Sequence, residues 1–278
     1  MSDPTQHTIE ELLAKYSLEP SLRDIYVEGA FDREVLERYF SGSGQTLVFY
    51  EISTVNVPPA VLDAHKLSDG NKQRVIALAR ELAVLSGELG YRCLVDRDLD
   101  HWCGNLEGTP RLRWTKYCSL ELYFFTEHRL SECIVAAKAK VQDVGRLLES
   151  LSAVLANLYA LRLADHALKW HMTWHPPDKL LSINDGQLTF DWEEYVNRVL
   201  VQNGKAQLST QFNDRLKHWR PKLKGDARNF IRGHDFINVL AWTIGKSKGI
   251  KGFANAEAIE RLFVVQADHV DELSDILN

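Results

Sequence analysis

The chain has 278 residues, 45% hydrophobic and 26% charged, enough apolar material for a full core without a disulfide or structural-metal staple. Its four cysteines, Cys93, Cys103, Cys118 and Cys133, form no CxxC pair, which argues against a zinc site and a secreted disulfide framework. A polar, acidic start from Met1 to Glu11 and the lack of an apolar run near the ~20 residues a bilayer needs give the expectation of a cytoplasmic protein with no membrane partner, and a formal charge of −5 argues against a generic polyanion binder.

In chain order, Thr8 to Tyr16 reads as a short helix with Thr8 as its N-cap. Asp24 to Val27 is a compact apolar strand running into Glu28 and Gly29, and Asp32 to Tyr39 is helical. Thr46 to Ile52 is a second apolar strand. Gly70-Asn71-Lys72 opens a helix expected over Gln73–Leu89, with Gly90 as its stop. Tyr91 to Val95 is a third strand, leading straight into Asp96-Arg97-Asp98-Leu99-Asp100. A fourth extended segment is expected within Trp114–Phe125. Strands alternating with helices predict an α/β fold with a mostly parallel sheet flanked by helices, whose ligands bind beyond the carboxyl ends of the strands.

The texture changes from about Glu127. Apolar positions between Val141 and Leu163 predict one long helix or a helix pair within Ser131–Trp170, broken by His171–Pro177. The stripe reads as core, with a homodimer face as the alternative. A hairpin is expected around Asn184-Asp185-Gly186, and the rest is helical. The expected division is an α/β domain over residues 1–127 and a mainly helical, partly basic region over 128–278. Between Gln211 and Lys251, ten Lys/Arg stand against three Asp, so this segment carries +7 and the remainder −12. Arg215, Lys217, Arg220, Lys222, Lys224, Arg228, Arg232 and His234 are the candidate nucleic-acid contacts there. A solvated basic surface without a partner is the alternative.

Glu28 and the Asp96/Asp98 pair fall at expected strand ends, where carboxylates are held rigidly. Mg²⁺ is a hard ion that takes oxygen ligands, so carboxylates converging at one mouth suit metal-assisted phosphoryl chemistry. Residues two apart on extended backbone point the same way, which would let Asp96 and Asp98 share ions with Glu28, and Gly29 would let the backbone turn closely. A single acid after a strand is often a helix cap or turn residue instead.

The run Ile25-Tyr26-Val27-Glu28-Gly29-Ala30-Phe31-Asp32, followed at a distance by Cys93-Leu94-Val95-Asp96-Arg97-Asp98, resembles the Toprim signature. Gly70-Asn71-Lys72, Tyr117-Cys118-Ser119-Leu120-Glu121-Leu122-Tyr123 and Arg232-Gly233-His234-Asp235 resemble blocks of a family of small stand-alone Toprim proteins related to the Toprim half of OLD-type nucleases. That family includes the AriB effector of the PARIS anti-phage system. The resemblance implies Glu28 as metal ligand or general acid/base, Asp96 and Asp98 as metal ligands, Asp32 and Glu121 as supporting acids, and Lys72 near the scissile phosphate. Lys72 could equally be an exposed first-turn lysine, and Glu121 could be compensated by Arg111 or Arg113 rather than by metal. Asp100 reads as a solvated turn residue.

Two other patterns are weak. Asp96, Asp98, Asp100 and Glu107 match EF-hand ligand positions, but His101 replaces the required glycine. His171 and His175 have zincin spacing, but Met172 stands where the glutamate belongs, so structural histidines are the better reading. No phosphate-binding glycine loop of the nucleotide-hydrolase type is present, so an ATPase would have to be another chain. The sequence thus leads to a Mg²⁺- or Mn²⁺-dependent endonuclease acting on DNA or RNA, tRNA included. The family resemblance implies a defence effector working with an ABC-type, OLD-like ATPase. The alternative is a non-catalytic Toprim-fold assembly or regulatory subunit.

Overall fold

The computed structural model describes residues 6–44, 46–184 and 186–277. Met1–Thr5, within the polar start, and Asp185, at the expected hairpin turn, lie outside the described residues. The chain divides into two compact units, one of residues 1–120 with 263–278 and the other of residues 121–262. The boundary expected at 127 thus falls near Leu120. The last sixteen residues group with the α/β unit instead of the helical one.

The first unit begins with β1 (His7–Thr8) and α1 (Ile9–Leu18), where Thr8 and Glu11 form a reciprocal capping box. Next come β2 (Asp24–Val27), α2 (Ala30–Phe40), β3 (Val48–Glu51), β4 (Val55–Asn56), α3 (Pro59–Ala64) and α4 (Asn71–Leu82). The strand β5 (Arg92–Val95), a one-turn α5 (Asp100–Cys103) and β6 (Leu112–Trp114) follow. Four strands form one parallel sheet in the order β3-β2-β5-β6, with Tyr26 opposite Tyr50 and Cys93, and Val95 opposite Trp114. The short β1 pairs with β4 separately.

Both faces of this sheet are covered, which is why β2 and β5 read as nearly unbroken apolar runs. Tyr26, Cys93, Val95 and Leu112 share one buried cluster with Leu12 and Tyr16 of α1 and Val75, Leu78 and Leu82 of α4. Ile25, Val27 and Leu94 alternate to the other face and are also buried. The chain leaves β2 toward β3 on one side, crosses back through α4, and leaves β5 toward β6 on the other side. The paths diverge between β2 and β5, and that divergence opens a crevice at their carboxyl ends.

Two expectations for this unit need correction. The helix expected to reach Leu89 ends at Leu82, whose carbonyl accepts both the Leu85 amide of a closing turn at 3.2 Å and the Tyr91 hydroxyl at 2.9 Å. The extended segment expected within Trp114–Phe125 is a strand over Leu112–Trp114, followed by a 3-10 turn over Leu120–Phe124. Its amide and carbonyl groups serve the acids after β5 instead of a ladder: Leu120 N–H donates to Asp96 Oδ1 (3.1 Å) and Asp98 N–H to the Cys118 carbonyl (2.7 Å).

In the second unit, α6 (Glu127–Ala136) and α7 (Val144–Leu168) resolve the expected helix pair. The antiparallel pair β7 (Leu181–Asn184) and β8 (Gln187–Phe190) and the helices α8 (Trp192–Gln202), α9 (Ser209–Trp219) and α10 (Gly233–Lys246) complete it. A last helix, α11 (Ala256–Gln266), runs across the second boundary. The stripe on α7 is core: Leu147, Leu151, Val154, Leu155, Leu158 and Leu161 are buried. By length and composition α7 could cross a membrane, but 61% of its most apolar window is buried inside the protein. It ends where the chain turns back on buried Asp165, which accepts the Met172 amide at 3.1 Å and the Trp174 indole N–H at 3.2 Å.

Candidate metal centre

The crevice of the first unit gathers its residues from β2, α4, β5, α5, β6 and the 3-10 turn that begins at Leu120. Glu28 follows β2 and Asp96 follows β5, and the two are joined directly: Asp96 N–H donates to Glu28 Oε1 at 2.9 Å. Asn71, at the start of α4, donates its side-chain amide to the Glu28 carbonyl at 2.9 Å, fixing the backbone at the end of β2. The Asp96 side chain is held in turn by the Leu120 amide.

Asp98 sits at φ +42°, a backbone region that a short polar side chain tolerates better than most. Its Oδ2 lies 3.0 Å from Lys72 Nζ, and Asp100 Oδ2 lies 2.5 Å from the same ammonium. Lys72 is 12% exposed at its side chain and stands 5.4 Å from the Trp114 ring. It is therefore no solvated first-turn lysine. Burial, the largest influence, would lower its pKa, but Asp98 and Asp100 together outweigh it and hold the ammonium above its ordinary value. Lys72 is delivered by Gly70, whose φ of +151° at the N-cap of α4 is open to glycine and strained for other residues.

Asp32 occupies the third position of α2 and accepts the Gly29 N–H at 3.2 Å, a helix cap. Gly29 is extended (φ −154°), and a Cβ there would meet nothing within 4 Å, so the close turn expected of it is not required. Asp100 is a correction too, since its ion pair with Lys72 makes it part of the site and no solvated turn residue. Asn71, Asp100 and Trp114 are the contributors that sequence reasoning missed. Asn71 left a signal as the residue between Gly70 and Lys72, and Asp100 as the third acid of the run Asp96-Arg97-Asp98-Leu99-Asp100.

Glu121 belongs to the second unit. It is 7% exposed, and its Oε2 is buried without a hydrogen-bond partner. Burial and then Glu121 push the Glu260 carboxyl above its ordinary value, while His234 opposes them. Among the described residues, no three His, Cys, Asp or Glu side chains are gathered closely enough to hold a metal ion. The donor chemistry of the crevice nonetheless suits a hard cation. Glu28, Asp96, Asp98 and Asp100 are all-oxygen donors, four carboxylates against the one ammonium of Lys72.

The weaker patterns dissolve in the structure. Glu107 is taken by Arg80 and Thr109, which removes the last ligand of the EF-hand arrangement. His175 stacks on Tyr195 at 4.8 Å between ring centres, and His171 is exposed.

The basic segment is partly committed internally. Arg215, Lys217, Lys222 and Lys224 are exposed, as is His234. Arg220 lies 3.6 Å from the Trp192 ring centre, its pKa lowered chiefly by burial, and Arg228 is forked onto Asp226 at 2.8–3.0 Å. Arg232 is 3.9 Å from Asp235, whose stronger partner is Arg162, bound through two hydrogen bonds of 2.8 and 2.9 Å. The Arg232–Asp235 block thus contributes an ion pair to the packing of α7 against α10.

No protein-family model matches this chain, and no curated protein sequence matches it either.

Proposed function

We propose that the first unit is a Toprim-type catalytic domain and that the protein is a Mg²⁺- or Mn²⁺-dependent endonuclease of DNA or RNA. The observation that carries this reading is the junction of Glu28 and Asp96 at the adjacent carboxyl ends of β2 and β5, where the sheet opens its crevice. Glu28, Asp96 and Asp98 would hold the ion, which when bound supplies Lewis-acid stabilisation of a phosphodiester and an acidified water. Without a cation, the excess of carboxylates at this mouth would repel a phosphate backbone. Lys72 offsets part of that charge, and its ammonium, once drawn from Asp98, is placed to meet a phosphate oxygen. Asn71 and the Leu120 amide keep Glu28 and Asp96 in register. The exposed cations of the basic segment are the proposed sequence-independent phosphate contacts. Asp32 is retained as a supporting acid, and a defence role with an ABC-type, OLD-like ATPase partner belongs to the same proposal, as does a homodimer.

The bridge from Lys72 to Asp98 and Asp100 favours a second reading, a non-catalytic assembly or regulatory subunit in which the ammonium neutralises the acids permanently. One experiment separates the two. Purified protein and a Glu28→Ala variant are incubated with plasmid, single-stranded DNA and total tRNA in Mg²⁺ or Mn²⁺, with and without a co-expressed neighbouring ATPase. Metal-dependent cleavage lost in the variant supports the nuclease. No cleavage of any substrate under any of these conditions overturns it.

A further inference from the structure

The opposite edge of the same sheet carries a second charged feature. Arg23 precedes β2, Arg92 opens β5, and Arg111 and Arg113 flank the first residue of β6, so all four lie toward the amino-terminal ends of the strands. They line one open cavity of about 740 Å³, in which Glu88 is the one acidic side chain among the described lining residues. Along β5, Arg92 and Asp96 are separated by roughly 13 Å at the usual rise of an extended strand, so this cavity is distinct from the acidic crevice.

Three of the arginines donate to neutral acceptors there. Arg92 Nη1 donates to the carbonyls of Leu89 (3.0 Å) and Tyr91 (2.8 Å), and Arg113 Nη1 to that of Leu112 (3.1 Å). Arg111 Nη2 donates to the Gly87 carbonyl at 2.7 Å while its guanidinium lies 5.2 Å from the Tyr91 ring centre. None of Arg92, Arg111 and Arg113 makes an ion pair among the described residues, and Arg113 Nε is buried without a partner. Each guanidinium has five donors, so most of their hydrogen-bonding capacity is left for another molecule. Burial, and then Arg113, Arg111 and Arg23, lower the Arg92 pKa, the mark of like charges crowded together. Like charges brought together cost stability, and a bound polyanion recovers it through charge-assisted, forked hydrogen bonds.

We propose that this arginine cavity is an anion site for linked phosphates, from a free polyphosphate such as a nucleoside triphosphate or from consecutive phosphates of a nucleic-acid strand. The site stands independently of the metal-centre reading. It would hold its ligand at the sheet edge remote from Glu28 and Asp96.

The test is calorimetric titration of the full chain, in chelator and without divalent metal, with tripolyphosphate, a ten-nucleotide single strand and polyglutamate. Saturable, salt-sensitive binding of tripolyphosphate or the strand is expected, weakened about tenfold or more in Arg92→Gln and Arg113→Gln and unchanged in Lys179→Gln, at an exposed lysine outside both the cavity and the basic segment. Whichever phosphate compound binds in this arginine-dependent way identifies the source. Each glutamine variant should melt at or above the unliganded wild-type temperature, because it relieves repulsion. If either is unfolded, Arg111→Gln takes its place with the same expectation. Absence of binding to both phosphate compounds, undiminished binding in the arginine variants, or equally tight binding of polyglutamate overturns the assignment.

Discussion

The ammonium of Lys72 lies 3.0 Å from Oδ2 of Asp98, so a cation and a carboxylate that both belong to the crevice spend their charge on each other. A divalent ion must compete with this pair. Lys72→Gln is therefore expected to tighten Mn²⁺ binding several-fold while costing about 1–2 kcal/mol of stability, the latter discounted for the exposure of Asp98. Calorimetric titration with Mn²⁺ and a urea melt read the two effects. Unchanged metal affinity would mean that Asp98 takes no part in holding an ion.

The same pair has a pH signature. The folded ammonium titrates above the ordinary 10.5, so its contribution is complete below that pH and is lost as pH rises through the higher folded value. Lys72→Gln should thus show a shallower alkaline fall in melting temperature than the wild type.

Acid acts elsewhere in this unit. Burial would raise the Glu107 pKa, but hydrogen bonds from Arg80 and Thr109 outweigh it and hold the carboxyl below its ordinary 4.5. Its contribution is present above 4.5 and lost as pH falls through the depressed folded value. Arg80→Gln should cost about 1 kcal/mol at neutral pH and progressively less on acidification, followed by denaturant melts across that window.

Glu28→Ala and Glu28→Gln should differ in stability though both remove the carboxylate. Alanine leaves the Asp96 N–H without its acceptor and should cost about 1–2 kcal/mol, whereas the glutamine carbonyl can replace Oε1. Under the nuclease proposal both lose cleavage by about a hundredfold or more. Equal stabilities would remove the structural part of this argument.

In the second unit, Arg162 and Asp235 are 20% and 13% exposed at their side chains, and their forked bond joins α7 to α10. Asp235→Ala is expected to cost about 3 kcal/mol, and a double-mutant cycle with Arg162→Met should show strong coupling.

What could be read in advance was whatever local pattern dictates. The capping box at Thr8 and Glu11 and the apolar runs of β2 and β5 followed from neighbouring residues. The parallel sheet followed from the alternation of strands and helices. The Trp114–Phe125 stretch misled because its hydrophobicity reports burial, whereas its conformation is dictated by Asp96 and Asp98, whose backbone and side chains it binds. Asp100 read as a turn residue and Trp114 gave no sign of joining the site, because their link is Lys72, which arrives from another helix. Arg228 and Arg232 counted toward a basic tract, but partners that charge counting cannot see, Asp226 and Asp235, claim part of them.

The first unit is interrupted in sequence: residues 121–262 form a body of their own before the chain returns at 263–278. On return, Glu272 accepts the Tyr117 hydroxyl at 2.5 Å and the Lys116 ammonium at 3.0 Å, and Asp268 pairs with Arg38 at 2.6 Å. During synthesis, the segment just after β6 must therefore wait for about one hundred and fifty further residues before its clasp emerges, an interval of roughly ten to thirty seconds at ordinary elongation rates. A ribosome that stalls within that interval would display the acidic crevice without its fastening.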